Sequence, residues 1–130
     1  MSLDTIKFTE YQVGEGQDQD TIRRYTPDTR RGGAWVRFGL DEFRLPALGL
    51  AEVQELEPDV HALEGLQSGA SPSAEQWKSA HRIIWASMRR NYTTLELNDV
   101  IGLVDLSNVK QVLEAIFGTS GYKKVAPGEA

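Results

Sequence analysis

The sequence predicts an α+β domain that is mainly helical, with an N-terminal strand and β-hairpin region followed by three to five short-to-medium helices packed as a small helical unit. Three observations predict it. Apolar residues alternate with polar ones only ahead of Pro46, they recur at helical spacing from Leu48 onward, and Gly, Ser and Pro gather at the joints.

Composition narrows the class. The 130 residues carry a net charge of −5, with 40% hydrophobic and 25% charged residues, which is the balance of a globular domain able to fold without covalent staples. The chain has no cysteine, which excludes disulfides, thiolate metal sites and cysteine nucleophiles together. No apolar run approaches the roughly 18 residues that span a bilayer. The start, Met1-Ser2-Leu3-Asp4-Thr5, lacks a basic stretch followed by an apolar one, so an intracellular protein is expected.

Residues 1–33 read as an arm. Gly14, Gly16, Gly32 and Gly33 punctuate it too often for a packed helix. Thr5-Ile6-Lys7-Phe8-Thr9, then Tyr11 and Val13, alternate as an edge strand does, while Glu15 to Arg31 reads as loop. The arm is expected to lie either on its own core or on a neighbouring subunit. A single compact domain is expected over 34–121 and a short tail over 122–130. Its hairpin, 34–46, would turn within Gly39-Leu40-Asp41-Glu42, direct Trp35, Phe38, Phe43 and Leu45 toward a core, and end at Pro46.

Four helical segments follow, at about 49–67, 73–91, 94–104 and 106–117. In the first, Val53, Leu56, Val60 and Leu63 share one face, and Pro58 marks either a kink or the start of a second helix. Its Glu52, Glu55, Glu57, Asp59 and Glu64 meet no Lys or Arg from Leu48 to Gln67. The next helix, capped by Ser71 or Ser73, is basic through Lys78, Arg82, Arg89 and Arg90. Opposite charges across a short turn predict an antiparallel helix pair with ion pairing mainly at its rim. Trp77, Ala80, His81, Ile84, Trp85, Met88 and Tyr92 form a stripe about 140° wide on the basic helix, enough to meet more than one neighbour. Thr93 and Glu96 have capping-box spacing ahead of Leu97, Val100, Ile101 and Val104. Asp105 or Ser107 would cap the last helix, whose Val109, Val112, Leu113, Ile116 and Phe117 keep helical periodicity up to Gly118 as its C-terminal cap.

The chain shows little catalytic equipment, and no enzyme, cofactor or metal is expected. Its two histidines are His81, inside the apolar stripe, and His61, which with Glu64 three residues later supplies two metal ligands but no third. Asp18-Gln19-Asp20 fails as a calcium loop because Arg23 and Thr29 stand where glycine and glutamate belong. No phosphate-binding loop, dinucleotide fingerprint or serine elbow is present. Helices around Gly102 have helix-turn-helix spacing, but Asn98 occupies the small packed position and the second helix carries only Lys110 against Glu114, so nucleic acid is not expected as a partner.

The stretch Trp85-Ala86-Ser87-Met88-Arg89-Arg90-Asn91-Tyr92, then Thr94-Leu95-Glu96-Leu97, Leu103-Val104-Asp105-Leu106 and Val109 to Gly118, resembles the C-terminal half of phage tail assembly chaperones, small helical proteins of long-tailed bacteriophages and prophages. The likeness covers Trp85 to Gly121, with Thr93 where family members often have proline. It implies a non-enzymatic factor that binds the tape measure protein, helps recruit tail tube subunits, and leaves before the virion matures in the host cytoplasm. It also implies a frameshift-extended form of the same chain as a partner. The residues themselves are compatible with that reading. Trp77, Trp85, Met88 and Tyr92 are the candidates for an apolar groove that holds a partner helix, with plain core as the simpler reading of the same four. Arg89 and Arg90 would pair with acids on a neighbour or partner, or face solvent, and self-association through the arm or the oppositely charged helices is expected. The alternative is a structural phage protein, such as a head–tail connector or tail component, retained in the virion.

Overall fold

The computed structural model describes residues 3–63 and 72–119. It has the expected α+β class: a four-stranded sheet from the first third of the chain, then five helices among the described residues. After a 3-10 turn at Leu3–Thr5, β1 (Phe8–Val13) pairs antiparallel with β2 (Asp20–Tyr25), and β3 (Ala34–Phe38) pairs antiparallel with β4 (Asp41–Leu45). The two hairpins join through parallel β2 and β4, giving the order β1-β2-β4-β3.

The stretch from Glu15 to Arg31 was expected to be loop, and β2 lies inside it. The glycines that argued against a helix instead shape a hairpin. Gly14 sits at φ 98°, where a Cβ would come 2.3 Å from the Asp18 carbonyl oxygen, so a side chain is excluded twice over. Ile6 and Tyr25 join the same buried cluster as the helices, so this segment packs on its own core. In the second hairpin Gly39, at φ 68°, occupies the first central position of a two-residue turn and Leu40 the second.

Strand alternation corrects one core assignment. Val36 and Phe38 of β3 and Phe43 and Leu45 of β4 face the helices, whereas Trp35 stands on the other side of the pleat beside Arg44. Trp35 and Phe38 are three residues apart, an odd spacing that a strand always divides between its two faces.

The acidic segment divides at Leu56 into α1 (Leu50–Glu55) and α2 (Glu57–Leu63), with Pro58 in the first turn of α2, where its missing N–H costs nothing. Glu64 to Gln67, at the end of the predicted helix, lie outside the described residues. Ser73 caps α3 (Ala74–Met88) in a reciprocal box, its hydroxyl accepting from the Gln76 N–H at 3.2 Å while Gln76 Oε1 accepts from the Ser73 N–H at 2.9 Å. Ser71, the other candidate cap, lies outside the described residues. The acidic and basic helices do pair antiparallel, and their ion pair is deeper than a rim contact. Asp59 Oδ1 accepts from Ser79 Oγ at 2.9 Å and from Arg82 at 2.5 Å, with the carboxylate side chain only 11% exposed.

The start of α4 (Leu97–Leu103) also differs from expectation. Thr93 does not cap it; its N–H and hydroxyl both bind Asp28, at 2.7 and 2.9 Å, and Glu96 forms the box with Asp99 instead. At α5 (Val109–Thr119) Asp105 takes the capping role rather than Ser107. Asp105 Oδ1 accepts from Asn108 N–H, and Asn108 Oδ1 accepts from Asp105 N–H. Val109, Val112, Leu113 and Ile116 are buried as the periodicity requires, while Gly118 lies within the helix rather than after it.

The connection from β2 to β3 must cross the C-terminal end of β4, and the residues closing α3 receive it there. Asn91, fully buried, donates to the Arg31 and Arg44 carbonyls at 3.0 and 3.1 Å and accepts from Arg31 N–H and the Thr29 hydroxyl at 2.7 and 2.9 Å. Tyr92, equally buried, donates its hydroxyl to the Tyr25 carbonyl at 2.9 Å and accepts from Arg44 N–H at 2.8 Å. Burial pushes that hydroxyl well above the ordinary tyrosine range.

Candidate functional site

The six residues singled out on the basic helix of 73–91 and at Tyr92 just past it divide into two groups, α3 itself ending at Met88. Met88 and Tyr92 are fully buried, so neither offers a surface to a partner; they belong to the core reading. Trp77, Trp85, Arg89 and Arg90 are partly exposed. Arg90 is committed within the chain: it donates to the Ala47 carbonyl, and its Nε lies 3.9 Å from Glu52 Oε1. The acid it meets is therefore on α1, not on a neighbouring molecule.

What remains is an outward edge of α3, with Trp77, His81, Trp85 and Arg89 spaced four residues apart. Ser79, Ala80, Ile83, Ile84, Ala86, Ser87 and Met88 fill the buried arc of this helix, because α2, the sheet, α4 and α5 press on it from three sides. Ser79 and Ser87 belong to that arc through their hydroxyls, bonded to Asp59 and to the Pro46 carbonyl at 2.8 Å. The aromatic edge lies where those neighbours leave off. Trp85 is half tethered, its Nε1–H donating to the Leu95 carbonyl at 2.9 Å, while the Arg89 guanidinium covers its ring at 4.4 Å. Trp77 stacks on His81 with ring centroids 5.7 Å apart.

Two depressions flank this edge. At its N-terminal end a shallow one of about 490 Å³ lies among Trp77, His81, Ile101, Val104, Leu106 and Ser107. Ile101 is 45% and Leu106 65% exposed, which puts aliphatic surface beside Trp77. At the other end a smaller one of about 120 Å³ runs between α1 and α3, bordered by Glu52, Glu55, Arg82, Trp85 and Arg89. Together they present aromatic and aliphatic surface bounded by charges of both signs. Ile101 and Leu106 escaped the sequence reading because periodicity assigned Ile101 to the inner face of α4, and nothing marked the α4–α5 link as surface.

Burial lowers the His81 pKa from its ordinary 6.5, so the ring is neutral in the folded protein at pH 7. The unfolded chain therefore takes up this proton first on acidification. The stabilisation that results is complete above about pH 6.5 and is lost as pH falls through the lowered folded value. Urea midpoints measured between pH 7.5 and 5 should decline, and more gently in His81→Gln; identical slopes would refute the assignment.

Among the described residues no cluster of three His, Cys, Asp or Glu side chains is placed to hold a metal. His61 lies 3.6 Å from Glu57, and Glu64 lies outside the described residues. No described helix is long and apolar enough to cross a membrane. No family model matches the chain, and no curated protein or solved structure matches it either.

Proposed function

We propose that this is a protein-binding domain without catalysis, which uses the outward edge of α3 to hold an amphipathic helix. More particularly, we read it as a phage tail assembly chaperone. It binds the tape measure protein in the host cytoplasm, helps recruit tail tube subunits, and is absent from the finished virion. The observation that carries the reading is the exposed row formed by Trp77, Leu106 and Ile101 beside Trp85 and Arg89, since helix-in-groove recognition uses an apolar strip with charged margins. A tape measure, being long and helical, exposes strips of the complementary kind. The likeness of Trp85 to Gly121 to that family supports the particular assignment.

Co-expression with the product of a neighbouring very long, helix-rich gene tests it. The two should co-purify, and Ile101→Asp with Leu106→Asp should weaken retention by about tenfold or more while circular dichroism stays unchanged. Absence of any complex, or detection of the chain in purified particles, would remove the chaperone reading; the second outcome would favour a structural tail or connector protein.

A further inference from the structure

We propose that the open face of the sheet is a second docking surface, shaped to hold a carboxylate-bearing segment of a partner protein. Tyr25, Val36, Phe38, Phe43 and Leu45 bring one face of the sheet into the core cluster. The other face adds nothing to that cluster; on it Ile22 and Glu42 are buried, and Tyr11, Arg24, Trp35, Arg37 and Arg44 keep exposed surface. Alternation and register place Tyr11, Arg24, Trp35, Arg37, Glu42 and Arg44 together on that open side. The Arg24 guanidinium lies 4.5 Å from the Trp35 ring and 5.0 Å from the Tyr11 ring, and Arg44 lies 5.7 Å from Trp35.

Glu42, the acid at the centre of this array, is already consumed. It is 6% exposed, with Oε1 accepting from Arg24 Nε at 2.5 Å and Oε2 accepting from the Tyr11 hydroxyl at 2.9 Å. Arg37 and Arg44 form no ion pair with a described carboxylate, and the other acid on this face, Asp20, stands at its far end opposite Val13. A chain of net charge −5 thus turns one positive, aromatic-lined face outward. The arginines are held before any partner arrives: Arg24 by Glu42 and by the rings, Arg44 by Trp35 and by its Nε–H bond to the Gly33 carbonyl at 3.2 Å. Such pre-ordering lowers the entropic cost of binding, and planar guanidinium groups suit carboxylates in two-point contacts.

The chemistry favours carboxylates over nucleic acid. Guanidinium groups already lie over Trp35 and Tyr11, where a base would need to stack, and the acidic chain as a whole repels a phosphate backbone.

Tryptophan indole signals in a nitrogen-15 NMR spectrum read the test directly, with Trp35→Phe assigning the signal. Titration with a glutamate-only peptide of about ten residues should move the Trp35 indole and leave those of Trp77 and Trp85 in place. Arg37→Glu, on an exposed side chain, should weaken binding about tenfold or more, Arg37→Lys should retain most of it, and Arg44→Gln serves as the second variant. No shift up to about 1 mM peptide, indifference to Arg37→Glu, or tighter binding of a polythymidine of equal length would each overturn the proposal. The α3 reading is separate, since Ile101→Asp with Leu106→Asp should leave this titration unchanged.

Discussion

Replacing Asn91 by alanine should lower the free energy of unfolding by about 3 kcal/mol, because one buried amide satisfies four groups on three residues from two other parts of the chain. Its partners are the Arg31 N–H and carbonyl, the Arg44 carbonyl and the Thr29 hydroxyl, and alanine leaves the better buried of them without a replacement. Asn91→Asp is the sharper variant. It keeps the shape but turns two donors into acceptors facing carbonyl oxygens, so it should cost at least as much as alanine at neutral pH. Urea unfolding followed by tryptophan fluorescence measures both. A loss below about 1 kcal/mol for either would mean that water serves these groups as well as the amide does.

Phe43→Ala should cost about 4 kcal/mol, the largest effect of any single truncation considered. Phe43 is fully buried on β4 and stacks on Tyr25 at 4.6 Å with the planes 2° apart. Phe38 and Tyr92 lie nearly perpendicular to the Phe43 ring, with ring centroids 5.6 and 5.2 Å away. Deleting the ring removes its own transfer energy and opens a void bounded by three rings that are each held by strand or helix, so collapse is limited. Phe43→Leu fills most of that space and should cost only about 1.5 kcal/mol. A domain of this size has about 5 to 15 kcal/mol in total, so a loss of about 4 kcal/mol should lower the melting temperature of the alanine variant by more than about 10 °C. Thermal melts of the two variants side by side give the comparison; equal melting temperatures would contradict the packing argument.

Phe43 and Asn91 differ in how plainly the sequence marks them. Phe43 was legible, because an aromatic strand residue beside Leu45 and ahead of Pro46 reads as core in any hairpin. Asn91 and Tyr92 stood out in the sequence as part of a run, Arg89-Arg90-Asn91-Tyr92, but nothing local said that they receive the β2–β3 crossover. Tyr92 was placed in a candidate groove; in the structure its hydroxyl lies between the backbones of Tyr25 and Arg44, partners 67 and 48 residues away. Strand β2 was missed for a related reason. Thr21-Ile22-Arg23-Arg24-Tyr25 carries charge on both faces of the strand, which reads as loop until Asp41 and Glu42 arrive from another hairpin to pair Arg23 and Arg24.

The candidate site followed the same division. Trp77 and Trp85 were found by their spacing, but whether an aromatic on a broad stripe is core or surface depends on how many neighbours press on the helix. α3 is covered on three sides, and the rotation of that cover left Trp77, His81 and Trp85 at its margin while drawing in Ser79 and Ser87.

The sequence by itself determined the fold class, an interruption of the acidic helix at Pro58, a serine cap at Ser71 or Ser73 and the pairing of helices with opposite charge. These depend on periodicity, local backbone chemistry and charge within a few turns, all of which act between residues close in the chain. Only the tertiary structure decided that β2 exists, that Trp35 faces away from the core, and that Asn91 and Tyr92 close the crossover while Ile101 and Leu106 remain exposed. Each of these follows from a contact between distant segments, whose burial and hydrogen bonds outweigh the weaker local preferences.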